Sequence, residues 1–317
     1  MREIRIAAAQ FEHRNADKAY NLSRIRELSR QAVAEGAEVV SFHECSISGY
    51  TFAQRLSRDE LVDVAETIPD GPSVRELIAI SREVGVPVLA GLFERDGERL
   101  FNTYVCATAD GIVARHRKLH AFINPHLSSG DEFTVFDLLG CRCAILTCYD
   151  NNLVENVRIT ALMGAEILFM PHVTGCLPSA MPGRGTVDPA LWDERERDPA
   201  RLRQEFDGPK GRGWLMRWLP ARAYDNGLYV VFTNPIGRDD DTIKNGASMV
   251  LDPFGEVIAE CRRLGDDVAV ALCTPEKLPL SSGRRYLRAR RPELYGKLVE
   301  PPVEPPVTQP GWRSAHD

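Results

Sequence analysis

Three short strings in this 317-residue chain end an apolar, strand-like run with a reactive polar side chain: SFHECSISGY at 41–50, ARHRKLH at 114–120 and ILTCYDNNLVEN at 145–156. Strand ends mount many catalytic groups, because the sheet fixes the root of the side chain while its tip faces a loop-lined cleft. Glu44 closes the run AEVVSFHE, so its carboxylate stands at the mouth of a sheet, either as a general base or as a structural acid capping nearby N–H groups. Lys118 stands among Arg115, His116, Arg117 and His120, which read either as a solvated basic face or as the surroundings of a positioned ammonium. Cys148 closes CAILTC just before a helical pattern. There a thiol meets the positive end of a helix dipole, which is expected to lower its pKa, and the neighbouring N–H groups are placed to bind an oxyanion. The eight cysteines are 45, 106, 141, 143, 148, 176, 261 and 273, and Cys148 is the one whose position fits a nucleophile. Several of the others lie in apolar runs and fit small buried hydrophobes.

The elements that must hold these residues follow from the periodicity. IRIAAAQF reads as a strand, 19–35 as a helix, and AEVVSFHE as a second strand. SVRELIAISREVG reads as a helix with Ser73 as N-cap, Glu76 completing a capping box and Gly85 as terminator. Two runs meeting at Asp110 and Gly111 predict a β-hairpin. Beyond it come further strands, a helix in NLVENVRITALMG and a β-rich last third. The pattern is that of an α/β or α+β layered domain, a mixed sheet covered by helices. Residues 176–213 are rich in proline, glycine and charge, and read as an inserted lid or surface excursion on a single domain spanning 1–300. The proline-rich tail at 301–317 cannot be helical, and either trails in solvent or wraps a neighbouring surface.

A formal charge of −6 argues against standing attraction to nucleic acid or anionic membranes, since there is no excess of cations to neutralise phosphates. The expected partner is a small molecule. The apolar run at the N-terminus is too short for a secretory h-region, no stretch approaches a membrane span, and the cysteines show no CxxC pair or disulfide spacing. A cytoplasmic, reducing setting is expected. The seven histidines show no metal-ligand spacing with acids or cysteines, so no metal is expected.

Taken together and in order, the three strings resemble those of the nitrilase superfamily, the carbon–nitrogen hydrolases with a Glu–Lys–Cys triad. Glu44 with Gly49 and Tyr50 matches the family's string running to a GY pair, RKLH matches its lysine string, and CYD its C-[YW]-[DE] string. The resemblance extends through AAAQF, NTYVCATADGIVARHRK, ARAYDNGLYVVFTNPIG and GASMVLDPFGEVIAE, and so covers nearly the whole chain. It implies an αββα sandwich that pairs into a homodimer or higher homo-oligomer. It also implies a mechanism without a cofactor. Glu44 is the base for Cys148, Lys118 and the Tyr149 N–H stabilise the oxyanion, and the product of attack on a small amide, ureido group or nitrile is a thioester.

The chain departs from the family between Lys118 and Cys148, where many members carry a second glutamate. Here the stretch is short, Glu132 comes too late, and Asn124 or His126 is expected to occupy that space. Asn152 and Val154 stand where the commoner string has arginine and proline, and Asp225 replaces a glutamate in the R-A-x-E-N string. Within the family that the chain resembles, CYD is commoner among amidases and N-carbamoyl amine hydrolases than among nitrilases, so the resemblance implies amide or N-carbamoyl amine hydrolysis over nitrile hydrolysis. His172, Arg184 and Trp192 are candidates for the pocket beside the 176–213 excursion. The competing readings are a binding or regulatory protein that has lost turnover, and a nitrilase or acyl transferase of the same superfamily. A nucleotide-dependent enzyme built on GRGTVDP and GPKGRG is disfavoured, because neither loop has a phosphate-cradling form.

Overall fold

The computed structural model describes residues 1–301, so the expected tail lies, beyond Pro301, outside the described residues. The strands are β1 (Ile4–Gln10), β2 (Val39–Ser41), β3 (Val88–Asp96), β4 (Arg99–Thr108), β5 (Gly111–Arg117), β6 (Leu127–Ser128), β7 (Thr134–Leu138) and β8 (Cys141–Ile145). They continue as β9 (Ile167–Pro171), β10 (Tyr229–Thr233), β11 (Ile236–Asp239), β12 (Thr242–Asn245), β13 (Met249–Leu251), β14 (Val257–Glu260) and β15 (Asp267–Cys273). One sheet has the order β15-β1-β2-β3-β4-β5, with β6 beside β4; the second has the order β14-β13-β10-β9-β8-β7; β11 and β12 form a separate hairpin.

The alternation of side chains along each strand sorts residues between layers. Ile4, Ile6 and Ala8 of β1 face inward with Tyr104, Ile145, Phe169 and Val231 in a core that joins the two sheets. Ala7 and Ala9 face outward and pack, with Val40 and Val105, against Ile25, Leu28, Leu77 and Ile80 of the helices Lys18–Ala34 and Pro72–Val84. The second sheet is covered in the same way by Val157, Ala161, Leu219 and Ala223 from helices Val154–Leu162 and Leu219–Tyr224. Four layers result, helix–sheet–sheet–helix. The hairpin predicted at Asp110 and Gly111 joins β4 to β5.

One local expectation is corrected. Ser73 does not cap helix Pro72–Val84: Gly71 is its N-cap, Pro72 fills the first turn, and the Ser73 N–H and hydroxyl both donate to the Glu66 carboxylate at 2.7 and 2.6 Å. Glu76 pairs across to Arg26 instead of closing a box, while Gly85 ends the helix at φ 75° as expected. The 176–213 excursion carries secondary structure of its own. It contains helices Pro189–Asp193 and Pro199–Asp207, each begun by an aspartate cap and a proline, and Trp192, Leu202 and Phe206 join Ile236 and Ile243 in a satellite core.

Candidate active site

Strands β1, β2 and β3 are parallel, β4 runs against β3, and β5 against β4, so β2 and β5 point the same way. Glu44 follows β2, Lys118 follows β5 and Cys148 follows β8, so all three leave the carboxyl ends of strands, where α/β proteins commonly place their ligand sites. The turn carrying Glu44 rests directly on β3. A Cβ added at Gly91 would run into the backbone of Cys45, so only glycine admits this approach. Ile47 N–H then donates to the Gly91 carbonyl at 2.9 Å.

Glu44 and Lys118 are buried, and Lys118 Nζ donates to Glu44 Oε1 at 2.7 Å. The same oxygen accepts from Asn102 Nδ2 at 2.6 Å, whereas Oε2 is shielded and has no hydrogen-bond partner among the described residues. Lys118 also reaches the Tyr50 hydroxyl at 3.3 Å and lies 4.7 Å from the centre of the Phe122 ring. Burial alone would push the Lys118 pKa down, but the Glu44 carboxylate holds it well above the usual value, so the ammonium persists. Lys118 is therefore not part of a solvated basic face.

Cys148 has φ 50°, an uncommon conformation for a residue with a side chain, and opens a single 3-10 turn, Cys148–Asn151. Helix Val154–Leu162 begins six residues further on, so the expected dipole contact with a full helix is absent. The thiol pKa moves opposite to expectation. Burial first, and the Glu44 carboxylate second, push it up to about 12, against smaller opposing effects of Lys118 and the Val173 backbone. The thiol is thus protonated at neutral pH, with a carboxylate beside it.

Asp150 welds this turn to the Lys118 strand end. Its carboxylate accepts from Thr147 N–H at 3.1 Å, Leu119 N–H at 3.2 Å and His120 N–H at 2.9 Å, and lies 3.2 Å from His116 Nε2. Asn102 and Asp150 were not singled out from the sequence. Asp150 was legible as the acid of CYD, whereas Asn102 opens the string NTYVCATADGIVARHRK with no feature there that assigns it a role at the site.

A cavity of about 380 Å³ opens over the thiol, with Tyr50, Cys148, Tyr149, Val173, Arg184 and Lys244 in its wall. Asn124 and His126 are not among its lining residues. The Asn124 amide donates to the Ala53 and Leu56 carbonyls, both at 2.8 Å, its oxygen accepts from His126 N–H, and the His126 side chain is exposed. Next to Lys118 stand Tyr50 and Phe122 instead. His172 is also outside the wall. Its ring is buried between Trp218 and Phe232 with Nε2 3.2 Å from Asn151 Nδ2, and burial, then Lys118, holds its pKa well below the usual value. Trp192 donates to Glu12 at 3.2 Å within the satellite core, which leaves Arg184 as the excursion's candidate that reaches the cavity.

Comparison with known proteins agrees with this architecture. The carbon-nitrogen hydrolase family model matches residues 5–279, and the chain belongs to that family, whose members cleave carbon–nitrogen bonds other than peptide bonds. An (R)-stereoselective amidase from a Pseudomonas species is 31% identical over 306 residues, spanning 94% of this chain and 96% of that protein. The omega-amidase NIT2 of Homo sapiens is 28% identical, with 95% of this chain and 100% of that protein covered. Among solved structures, a nitrilase-superfamily amidase from Nesterenkonia AN1 superposes with TM-score 0.68 at 21% identity, covering 93% of this chain and 97% of that one. Among the described residues no helix is long and apolar enough to cross a membrane.

Proposed function

We propose that this protein hydrolyses small amides or N-carbamoyl amines through a thioester on Cys148. The observation that carries the reading is the buried 2.7 Å Lys118–Glu44 pair beside a protonated thiol, with one carboxylate oxygen unpartnered among the described residues. A thiol with pKa near 12 needs a base, and Glu44 Oε2 is the available acceptor. Glu44 takes the proton as Sγ bonds to the carbonyl carbon. The carbonyl π electrons move to oxygen, and Lys118 with the Tyr149 N–H stabilises the resulting oxyanion. As the tetrahedral intermediate collapses, protonated Glu44 passes its proton to nitrogen, the C–N bond breaks, and ammonia or an amine leaves. Water then gives a proton to Glu44 and attacks the thioester. The C–S bond breaks, the acid departs and the thiol is reprotonated.

The names of the relatives support amide over nitrile chemistry, since amidases are prominent among them. All eight cysteines are free and buried, which supports a reducing cytoplasmic setting. The exposed apolar side chains Tyr224, Tyr286, Leu294 and Leu298 support a homodimer or higher homo-oligomer. The test is ammonia release from a panel of aliphatic amides, N-carbamoyl amines and nitriles by wild-type protein and Cys148→Ala. Release by wild type alone is expected. Equal release by both proteins overturns the Cys148 mechanism, and release from nitriles alone overturns the amide assignment.

A further inference from the structure

The charged side chains in the cavity wall are Arg184 and Lys244; among the described residues no aspartate or glutamate lines it. Beneath the wall Glu44 offsets Lys118 and Asp239 offsets Lys244, so Arg184 is the cation over the thiol that no acid offsets among the described residues. Arg184 is held by an aromatic face instead of by an acid. Its guanidinium lies 3.7 Å from the centre of the Trp214 ring, which also lines the cavity. No ion pair engages Arg184 among the described residues, and its shielded Nε has no hydrogen-bond partner there. Arg212, by contrast, makes a two-point pair with Glu260. Lys244 is buried, donates to Thr242 Oγ1 at 2.8 Å and stands 3.6 Å from Asp239 Oδ2. That carboxylate is already engaged by Thr51 Oγ1 at 2.5 Å, and its other oxygen lies 3.1 Å from His13 Nε2.

The donors of Arg184 that face the cavity are free to bind a ligand, and its shielded Nε is an unfavourable donor until an acceptor reaches it. The planar fork of arginine matches the two oxygens of a carboxylate. We infer that the substrates of this enzyme carry a carboxylate in addition to the scissile amide, and that Arg184, with Lys244 behind it, holds that carboxylate. The cavity of about 380 Å³ has room for an acid amide. This inference rests on the hydrolase reading for its chemistry, but the anion site stands on the cavity wall alone.

Succinamate and succinamide have the same shape and differ in charge, so they form the test pair. For wild-type protein, kcat/KM for ammonia release from succinamate is expected to exceed that for succinamide by about tenfold or more. Arg184→Gln is expected to bring the ratio near one, chiefly through the KM for succinamate, and Arg184→Lys to restore part of it. Equal wild-type rates for the pair, or an Arg184→Gln effect that lowers both rates alike, overturn the proposal and leave the hydrolase reading intact. Binding to Cys148→Ala protein by calorimetry supplies a readout independent of turnover. Tighter binding of succinamate than of succinamide, lost on adding Arg184→Gln, supports the anion site even if wild type turns over neither compound. Indifference to charge in that experiment overturns it.

Discussion

Lys118 Nζ lies 2.7 Å from Glu44 Oε1 in a shielded setting, and the second oxygen of that carboxylate is left without a protein partner among the described residues. The pair fixes the carboxylate through one oxygen and leaves the other for a proton. Removing one partner of such a pair strands a buried charge, which typically costs about 3–5 kcal/mol. Lys118→Met is accordingly expected to destabilise the protein by about that amount in urea unfolding, and to abolish measurable turnover. Unchanged stability would mean that the pair is hydrated in solution.

Glu44→Gln separates the proposed role as base from the fold, because the amide keeps the shape while losing the capacity to take a proton. A fall in kcat of about 10²–10⁴ is expected for loss of a general base. The same substitution also acts on the thiol. Burial remains, but the carboxylate that helps push the Cys148 pKa up is gone while Lys118 still lowers it, so the pKa falls. The rate of iodoacetamide alkylation plotted against pH should move to lower pH in Glu44→Gln. A shift to higher pH would contradict the arrangement.

Asp150 is a positioning residue, since it joins the cysteine turn to the strand end of Lys118 through three backbone N–H groups. Asp150→Asn replaces one acceptor oxygen by a donor and is expected to cost about 2–3 kcal/mol of stability. It should also lower kcat more than it raises KM, and shift the alkylation profile of Cys148. A loss of stability with kcat and the thiol profile unchanged would reduce its role to holding the fold.

Acid stability follows from the buried histidines. Burial holds His43 and His172 neutral, with pKa values well below the ordinary one. In the unfolded chain both protonate near pH 6.5, so below that value the unfolded state binds more protons and stability falls with pH until the folded pKa values are reached. Each contributes about 1.4 kcal/mol per pH unit in that window. Asp239 adds to the loss at more acid pH. Burial opposes its ionisation, but Lys244, His13 and Thr51 together depress its pKa, so its contribution is present above the ordinary aspartate value and is lost as pH falls through the depressed one. Urea midpoints measured from pH 7 to pH 4 should decline steadily; a flat profile between pH 6.5 and 5 would contradict the neutral state of the two histidines.

The layered fold was legible because alternation in IRIAAAQF and in AEVVSFHE sorts residues to two faces, and both faces are buried. Glu44, Lys118 and Cys148 were legible because each ends an apolar run. The surroundings were not. Asn124 looked like a replacement for the missing glutamate by its place in the chain, yet its amide is consumed by the carbonyls of Ala53 and Leu56, some seventy residues away. The direction of the thiol pKa is not legible in the sequence, because the burial that chiefly raises it and the facing Glu44 carboxylate both come from the packing of distant segments. The average polarity of the 176–213 segment marks it as an excursion but hides its helices. Its two Asp-Pro pairs, at 188–189 and 198–199, were the helix-start signals that composition concealed.

The most direct test of the central claim is the covalent state of Cys148 during turnover. Protein mixed with a hydrolysed amide, quenched in acid and digested should yield the Cys148 peptide heavier by the acyl group, with the added mass removed by hydroxylamine as expected for a thioester. An acyl group on another residue, or ammonia release by Cys148→Ala at the wild-type rate, would contradict the account.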